Sequence, residues 1–357
     1  MIGHPEALRR IAGPALIGAL LAIVAACSSG GAAQTTASAP IATAATPTTA
    51  IVPTATAATT LTPATPTPAA SASAVTVSPG PPQPGTVVAW GLSTSGQAKV
   101  PAGLSGVTEV AAGYQHSLAL KADGTVVGWG FNGSGQATVP AGLSGVTAIG
   151  AGYYHSIALR SDGKVVAWGQ NAYKQTVVPT GLAGVTAVAA GGYHNLALKS
   201  DGTVVAWGYN ASGQAKVPAG LAGVIAVAGG YQHSLALKSD GTVVAWGDNA
   251  KGQATVPVGL TGVIAIAAGY DHSLALKSDG TVVAWGDNSR GQTIAPASLS
   301  GVVAIAAGDW HNLAVKSDGT VVLWGDTTHG NTVPSGLAGV TGIAGGGSFC
   351  LVIVPNP

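Results

Sequence analysis

The sequence predicts an all-β fold, a seven-bladed β-propeller built from seven 39-residue repeats, and three regularities predict it. Seven tryptophans recur every 39 residues from Trp90 to Trp324, and six histidines recur at the same interval from His116 to His311. Between them, short valine- and alanine-rich runs alternate with Asp-Gly turns, while charged residues make up only 8% of the chain. This composition favours short strands joined by tight turns. A repeat of this length indicates one supersecondary unit copied along a solenoid or a propeller.

Residues 1–26 predict an export signal. Arg9 and Arg10 precede an apolar stretch, Ile11 to Ala26, which is shorter than the roughly 20 residues of a membrane span. Val24-Ala25-Ala26-Cys27 resembles a bacterial lipobox, and this resemblance implies that Cys27 is lipidated and becomes the mature N-terminus. An ordinary signal peptide and an uncleaved anchor are the alternatives. We expect an extracellular protein of the cell envelope, lipid-anchored at Cys27.

Residues 27–84 predict a disordered stalk. They are rich in alanine, threonine, proline and serine and contain no charged residue. Such a segment has little bulky apolar surface to bury, and its prolines favour extended stretches. The remaining residues, 85–357, are predicted to form the propeller.

One repeat shows the expected strands. Its Ser161-Asp162-Gly163 is a hairpin turn, because Asp-Gly tolerates the positive φ that tight hairpins need. Runs such as Val-Val-Ala-Trp are apolar at consecutive positions, so both faces of each small sheet must be covered by neighbouring sheets. The unit is expected to hold four strands, A to D, at Val146–Ala151, Ser156–Leu159, Lys164–Trp168 and, weakly, Thr176–Val178.

The two ends of the repeat region predict ring closure. Residues 85–90 form a strand C with no A or B before it, and residues 340–354 form an A–B pair with no C after it. Together they complete one blade, which removes the exposed first and last edges. The tryptophans are interpreted as structural spacers and the histidines as hydrogen-bonding links between blades rather than metal ligands. Cys350 falls on the seventh histidine position and is expected to be a buried thiol.

The repeated motifs resemble a known family. Gly-Thr-Val-Val-Ala-Trp-Gly-x-Asn-x-x-Gly-Gln and Ala-Ala-Gly-x-x-His-Ser-Leu-Ala-Leu-Lys-Ser-Asp-Gly look like the regulator of chromosome condensation repeat family, over all of residues 85–357. The resemblance implies a seven-bladed propeller with blades split across repeat boundaries. The short unit is more similar to the secreted bacterial β-lactamase inhibitors of this fold. That similarity implies a protein partner, a β-lactamase or a related cell-wall enzyme such as a transpeptidase.

One side of the ring, the loop face, is predicted to bind this partner. It consists of the A–B tips, between the first two strands of a unit, and the C–D loops, after the third strand. These loops vary between units, with aromatic residues in the first half of the ring and aspartates in the second. Aromatic residues can supply affinity for a protein partner, and aspartates can attract a basic partner electrostatically. Unconstrained drift is the alternative. The predicted partner-binding residues are Phe131, Tyr153, Tyr154, Tyr173, Tyr193, Tyr209, Tyr231, Asp248, Tyr270, Asp271, Asp287, Asp309, Trp310 and Asp326.

Other functions are disfavoured. The net charge of +1, without a basic block, argues against nucleic-acid binding. Gly128 to Gly133 spells GxGxxG, but no helix follows, so no dinucleotide site is expected. No nucleophile, base and orienting group come together, so we expect neither an enzyme nor a cofactor or metal. We expect a monomeric protein-binding module; the alternative is a glycan- or envelope-binding adhesin or a structural surface protein.

Overall fold

The computed structural model describes residues 84–356. The predictions for residues 1–83, namely the signal peptide, lipidation at Cys27 and nearly all of the stalk, lie outside the described residues. Within residues 84–356, no helix is long and apolar enough to cross a membrane.

The described chain is organised as short antiparallel strands, with one short 3-10 turn at Thr328–Gly330. In chain order the strands are β1 (Gly85–Gly91), β2 (Val107–Ala112), β3 (His116–Lys121), β4 (Val126–Gly130), β5 (Val146–Ala151), β6 (His155–Arg160), β7 (Val165–Gly169), β8 (Val185–Ala190), β9 (His194–Lys199), β10 (Val204–Gly208), β11 (Val224–Gly229), β12 (His233–Lys238), β13 (Val243–Gly247), β14 (Val263–Ala268), β15 (His272–Lys277), β16 (Val282–Gly286), β17 (Val302–Ala307), β18 (His311–Lys316), β19 (Val321–Gly325), β20 (Gly342–Gly345) and β21 (Phe349–Pro355).

The strands form repeated three-stranded blades. Five sheets each hold three consecutive strands, from β5-β6-β7 to β17-β18-β19. A sixth sheet has the order β20-β21-β1-β2-β3-β4, but β1 meets β2 at a single residue pair, Gly85 with Val107. By contrast, β1 and β21 pair along seven positions, from Gly85 opposite Pro355 to Gly91 opposite Phe349. The predicted pairing of the first strand with the last pair of strands is confirmed.

The core lies between neighbouring blades. A representative cluster contains Ala111 and Leu118 of one blade packed with Val146, Ile149 and Trp168 of the next, all buried. Each blade contacts the next along the chain, and the β20-β21-β1 unit contacts both β17-β18 and β2. Each apolar strand is therefore covered on both faces by sheets, as its sequence requires.

The turn between the second and third strands follows the sequence prediction. Gly124 has a φ of 78°, and its amide donates to the Lys121 carbonyl. Asp123 Oδ1 accepts from the Thr125 amide at 3.0 Å, which holds the turn from its side chain. An aspartate followed by glycine thus supplies both the local acceptor and the left-handed residue.

The predicted fourth strand does not form, so a blade has three strands rather than four. In the 170–184 segment the chain makes successive turns, with hydrogen bonds from Lys174 N to Asn171 O and from Leu182 N to Pro179 O. The buried Gln175 accepts the Tyr173 amide through its side chain. Local side-chain acceptors and a proline without an N–H satisfy this segment without a strand ladder.

The last repeat is shifted by one residue relative to the others. In each other unit, the glycine three residues before the histidine donates its amide hydrogen to the carbonyl of that histidine. In the last unit, the equivalent bond runs from the Gly346 amide to the Phe349 carbonyl, at 2.8 Å. Trp90 pairs with Cys350, whereas elsewhere tryptophan pairs with the Ser or Asn that follows histidine. Phe349 therefore occupies the histidine position. The prediction that Cys350 replaces the seventh histidine is wrong, because Cys350 replaces Ser or Asn.

The shift has a sequence cause that lies before β20. In the preceding repeat the stretch Gln292 to Pro296 has three intervening residues, whereas only two separate Asn331 from Pro334. The deletion thus falls in the turn segment after the third strand, where no strand ladder fixes the register.

Candidate functional site

The repeat histidines form links between blades. In each link, histidine Nε2 lies beside a side chain of the next blade's second strand. The asparagine oxygens can only accept, and the serine hydroxyls already donate elsewhere, so Nε2 carries the proton. The links are His116–Ser156 (3.0 Å), His155–Asn195 (2.9 Å), His194–Ser234 (2.9 Å), His233–Ser273 (3.0 Å), His272–Asn312 (2.7 Å) and His311–Cys350 Sγ (3.3 Å). The interpretation of these histidines as links between blades is confirmed.

Each of the seven tryptophans spaced 39 residues apart, except the first, completes a second link. Trp168 Nε1 donates to the Gln136 carbonyl at 2.8 Å, and Ser156 Oγ donates to the same oxygen at 2.8 Å. Gln136 belongs to the loop that leaves the preceding blade, so that loop is fastened to the following blade by two donors. The same pattern recurs from Trp129 to Trp324.

The links weaken at the junction of the chain ends. Trp90 Nε1 is buried without a hydrogen-bond partner among the described residues. Phe349 has no polar group to offer Ser117 of the next blade, and Cys350 Sγ lies 4.0 Å from Asn331 Oδ1. The His311–Cys350 contact remains, as do the bonds of Ser117 Oγ and Trp129 Nε1 to the Gln97 carbonyl, and the β1–β21 ladder joins the two ends.

The histidines remain neutral in the folded protein. Burial lowers the pKa of His116 to about 3 and that of His155 to about 4. The Nδ1 atoms of all but His311 are buried without a hydrogen-bond partner among residues 84–356, so a second proton there would stay unsolvated. They are structural groups and do not exchange protons near pH 7.

Aromatic side chains of the A–B tips form a continuous row. It runs Tyr114, Tyr153, Tyr231, Tyr270, Trp310, with successive ring centroids 5.7, 4.8, 4.3 and 4.8 Å apart. Tyr153, the second ring of the row, is fully buried, and the other four rings are half-buried. Successive rings are stacked or tilted, with the 13° pair Tyr231–Tyr270 nearest to parallel. We call this set the aromatic row.

A second set of rings joins the A–B tips to the C–D loops. Phe131 lies 5.9 Å from Tyr154, and Tyr193 lies 5.3 Å from Tyr173 and 6.4 Å from Tyr209. Tyr154 and Tyr193 are 6.4 Å apart, and Tyr193 also touches the buried ring of the row. This aromatic branch is more open than the row, since Tyr173 is 45% exposed.

The aspartates gather beside the Tyr270–Trp310 end of the row. Gln253 Nε2 donates to Asp248 at 2.8 Å and to Asp271 at 3.1 Å, so one amide bridges two carboxylates. Lys251 Nζ lies 3.8 Å from Asp287. Burial raises the pKa of Asp271 to about 6, and the negative charges of Asp248 and Asp287 add to the shift. We call Asp248, Asp271, Asp287, Asp309 and Asp326 the acidic group.

Backbone bonds connect the acidic group to the aromatic row. The Asp287 amide donates to the Asp271 carbonyl, and the Asp326 amide donates to the Trp310 carbonyl, both at 2.8 Å. Arg290 Nη1 reaches Asp326 at 2.9 Å. Each C–D loop therefore starts against the A–B tip of its own blade.

The structure brings most of the predicted face residues together, with three corrections, at Tyr153, Asp309 and Asp287. Tyr153 and Asp309 are buried, with 0% and 2% of their surface exposed, so neither offers surface to a partner. Tyr153 is covered by the rings that converge on it, because the tips of several blades meet there. Asp287 is only 9% exposed. The predicted set omitted Tyr114, although it shares its repeat position with Tyr153.

Glu109 is an exception to the repeat. The five following units have alanine at this position. Glu109 Oε1 accepts a hydrogen bond from the Ile149 amide of the next blade at 3.2 Å. Burial raises its pKa to about 8. Glu109 thus adds one local link between the first two blades after β1.

These features define a class of protein, a β-propeller assembled from a tandem repeat whose blades are tied by buried polar side chains. The family model described as "Regulator of chromosome condensation (RCC1) repeat" matches six segments that together cover half of the chain. The chain belongs to the RCC1 repeat family. The matched segments are residues 107–136, 146–175, 185–214, 224–253, 263–292 and 302–331.

Solved structures show the same fold at low identity. Prp20p from Saccharomyces cerevisiae is 21% identical, with a TM-score of 0.66 over 77% of this chain and 92% of that chain. Human WBSCR16 is 20% identical, with a TM-score of 0.63 over 76% of this chain and 100% of that chain. The CRINKLY ectodomain of the Arabidopsis thaliana receptor kinase ACR4 is 22% identical, with a TM-score of 0.57 over 70% of this chain and 93% of that chain. No curated protein sequence matches the chain.

Proposed function

We propose that this protein is exported and lipid-anchored at Cys27, and that residues 85–357 form a closed seven-bladed propeller that binds a protein partner through its loop face. The observation that carries the proposal is the continuous aromatic surface that joins A–B tips to C–D loops, next to the acidic group. Half-buried tyrosine and tryptophan anchor protein interfaces, because they offer large area at low entropic cost. Ring closure is supported by the β1–β21 ladder and by the contacts of β20 and β21 with β2.

Relatives of the same fold support a binding role. The structure of Prp20p was described together with its binding to Gsp1p and histones, and Prp20 has been solved bound to Kap60. We extend from them only the use of the propeller as a protein-binding platform. The more specific proposal, inhibition of a β-lactamase or transpeptidase, is supported by the similarity of the short repeat to secreted bacterial inhibitors. Export and anchoring are supported by the lipobox pattern at residues 24–27.

The proposal is tested with the full chain carrying Cys27→Ser, immobilised as bait for envelope and secreted proteins of the same organism. The face variant is Tyr173→Ala with Trp310→Ala. The matched control is Val258→Ala, an exposed apolar residue beside Lys277 of the turn at the other end of the strands. Each captured protein is then purified and its Kd measured.

A partner that binds the parent and the Val258→Ala chain equally, but binds the face variant at least tenfold more weakly, supports the proposal. Inhibition of a captured β-lactamase or transpeptidase would support its more specific form. Equal affinity of all three chains for every purified partner would contradict the loop-face assignment.

Glycan binding is a second candidate, favoured by the open part of the aromatic branch. Tyr173, 45% exposed, lies 4.7 Å from Tyr209, and this pair offers ring surface on which a sugar can stack. Co-sedimentation with purified peptidoglycan, with Tyr173→Ala as the variant, tests it. Retention that the variant abolishes would favour the adhesin function, whereas no retention of the parent chain would exclude peptidoglycan as the ligand.

A further inference from the structure

The loop face has a chemical boundary where the aromatic row meets the acidic group. The Tyr270 amide donates to the Asp309 carbonyl at 3.3 Å, which joins the tips of two neighbouring blades. Asp271 and Trp310 each directly follow one of these joined residues. Trp310 ends the row, is half-buried, and packs its ring on Tyr270 at 4.8 Å.

The boundary carries an excess of negative charge. The tips and C–D loops of its three blades contain five aspartates but only one lysine and one arginine, Lys251 and Arg290. These two cations are engaged with Asp287 and Asp326. Among residues 84–356, no lysine or arginine nitrogen lies within 4 Å of Asp248 or Asp271.

This arrangement costs free energy in the unbound protein. Asp248 and Asp271 share the single amide of Gln253, which satisfies part of their accepting capacity and supplies no positive charge. The raised pKa of Asp271 is the expected sign of a carboxylate that is partly desolvated next to like charges. A cation placed here would relieve the repulsion between these carboxylates.

The aromatic half of the face lacks this charge. The tips and C–D loops from Leu92 to Pro218 contain no aspartate or glutamate in their variable positions, and Lys99, Lys174 and Lys216 lie in them. The negative field is therefore confined to one end of the row, where Tyr270 and Trp310 lie. A partner is thus oriented, since only one of its ends can meet the aspartates.

We propose that this boundary, formed by Tyr270, Trp310 and the carboxylates of Asp248 and Asp271, binds an arginine or lysine side chain presented by the protein partner. The inference rests on the proposed function and specifies the chemistry of the partner. A cation over a tyrosine or tryptophan ring is attracted by the ring quadrupole, and a nearby carboxylate adds a charge-assisted hydrogen bond. Arginine suits the site best, because its planar group can stack on Trp310 and still donate to a carboxylate.

The test uses three capped hexapeptides that alternate glycine with arginine, lysine or glutamate, titrated by calorimetry into the Cys27→Ser full chain. We expect the arginine peptide to bind more tightly than the lysine peptide, and the glutamate peptide not to bind. Asp271→Asn and Trp310→Leu are each expected to weaken arginine-peptide binding at least fivefold. Raising the salt from 0.05 to 0.5 M should weaken it further, since screening shortens the range of the attraction.

Two matched controls separate this site from general surface charge and general surface hydrophobicity. Asp123→Asn removes an exposed aspartate, and Val258→Ala shortens an exposed apolar side chain, both at the other end of the strands. Both should leave the arginine-peptide affinity within twofold of the parent. Binding of the glutamate peptide, or full arginine-peptide affinity in Asp271→Asn and Trp310→Leu, would overturn the inference.

The outcome is distinguishable from failure of the proposed function. If the captured partner is lost with Tyr173→Ala but binds Asp271→Asn at full affinity, the loop face stands and the cationic contact is wrong. If the captured partner loses affinity for Asp271→Asn, its own arginines and lysines are replaced in turn. A single replacement that removes the Asp271 dependence would identify the bound side chain.

Discussion

Mild acid should destabilise this protein strongly, because six buried histidines must stay neutral for the blades to remain linked. Each histidine donates through Nε2, and in all but His311 the Nδ1 atom is buried without a hydrogen-bond partner among the described residues. Burial lowers their pKa values to about 3 for His116, His194 and His233 and to about 4 for His155, His272 and His311. In the unfolded chain the ordinary histidine pKa is about 6.5.

The sign and size follow from proton linkage. A depressed folded pKa means that the unfolded chain takes up protons first, so stability present above pH 6.5 is lost as the pH falls toward the folded pKa. Between pH 7 and pH 5 each histidine costs about 2 kcal/mol, and the six together about 11 kcal/mol. A typical domain has only about 5–15 kcal/mol of stability in total.

Two carboxyl groups act in the opposite direction. The raised pKa of Glu109, about 8, means that protonation favours the folded state, which returns about 2–3 kcal/mol between pH 7 and pH 5. Asp271, with its pKa raised to about 6, contributes with the same sign. The turn aspartates, whose pKa values are lowered mainly by hydrogen bonds, lose their contribution only below about pH 4. The net expectation is a loss of several kcal/mol by pH 5.

The assay is urea unfolding followed by tryptophan fluorescence at half-unit steps from pH 7.5 to pH 5. The midpoint should fall steeply below about pH 6.5, with a slope that reports several protons taken up on unfolding. A His272→Gln chain keeps a neutral donor, and its slope should fall by about one proton taken up on unfolding. A midpoint that stays flat between pH 7 and pH 5 would refute the claim that these histidines are buried and neutral.

Three further changes test the links and the anchor. Trp207→Phe should cost about 1 kcal/mol more than Trp90→Phe in urea unfolding, because only Trp207 has an Nε1 hydrogen bond to lose; equal costs would contradict this. Glu109→Ala should stabilise the protein at pH 9, where folding of the parent chain must bury a charged carboxylate, and should stabilise it much less at pH 5. The shift in urea midpoint between variant and parent, measured at both pH values, tests this; equal shifts would contradict it. Cys27→Ser should move the protein from the membrane fraction to the soluble fraction of cells, and its retention in membranes would contradict lipidation.

Much of the fold could be predicted because its signals are local. The sequence predicts the strand Val146–Ala151 with its observed bounds, and the next two strands differ from their predicted bounds by one residue at each end. The prediction of a fourth strand was wrong: it rested on the apolar pair Val177-Val178, which is typical of a strand. Its neighbours Asn171 and Gln175 satisfy the backbone instead through side-chain oxygens.

The candidate site was harder to predict because it depends on how tips from different blades converge. Counting by 39 places Tyr114, Tyr153, Tyr231 and Tyr270 at one repeat position, which suggests equal exposure. The structure instead buries Tyr153 and leaves the others half-buried, because the rings of Tyr154 and of four tyrosines from other blades pack against it. A periodic sequence describes each unit, but it does not describe the centre where non-equivalent units meet.

The junction of the chain ends shows how a degenerate unit is tolerated. It lacks the histidine, has Cys350 in place of Ser or Asn, and leaves Trp90 Nε1 without a partner among the described residues. Each missing buried hydrogen bond would cost about 1 kcal/mol, and an unsatisfied donor more. The same junction pairs β1 with β21 along seven positions between distant parts of the sequence, where other blades pair neighbouring strands. The long-range ladder therefore joins the two ends, and it holds them where several of the side-chain links found in the other units are missing.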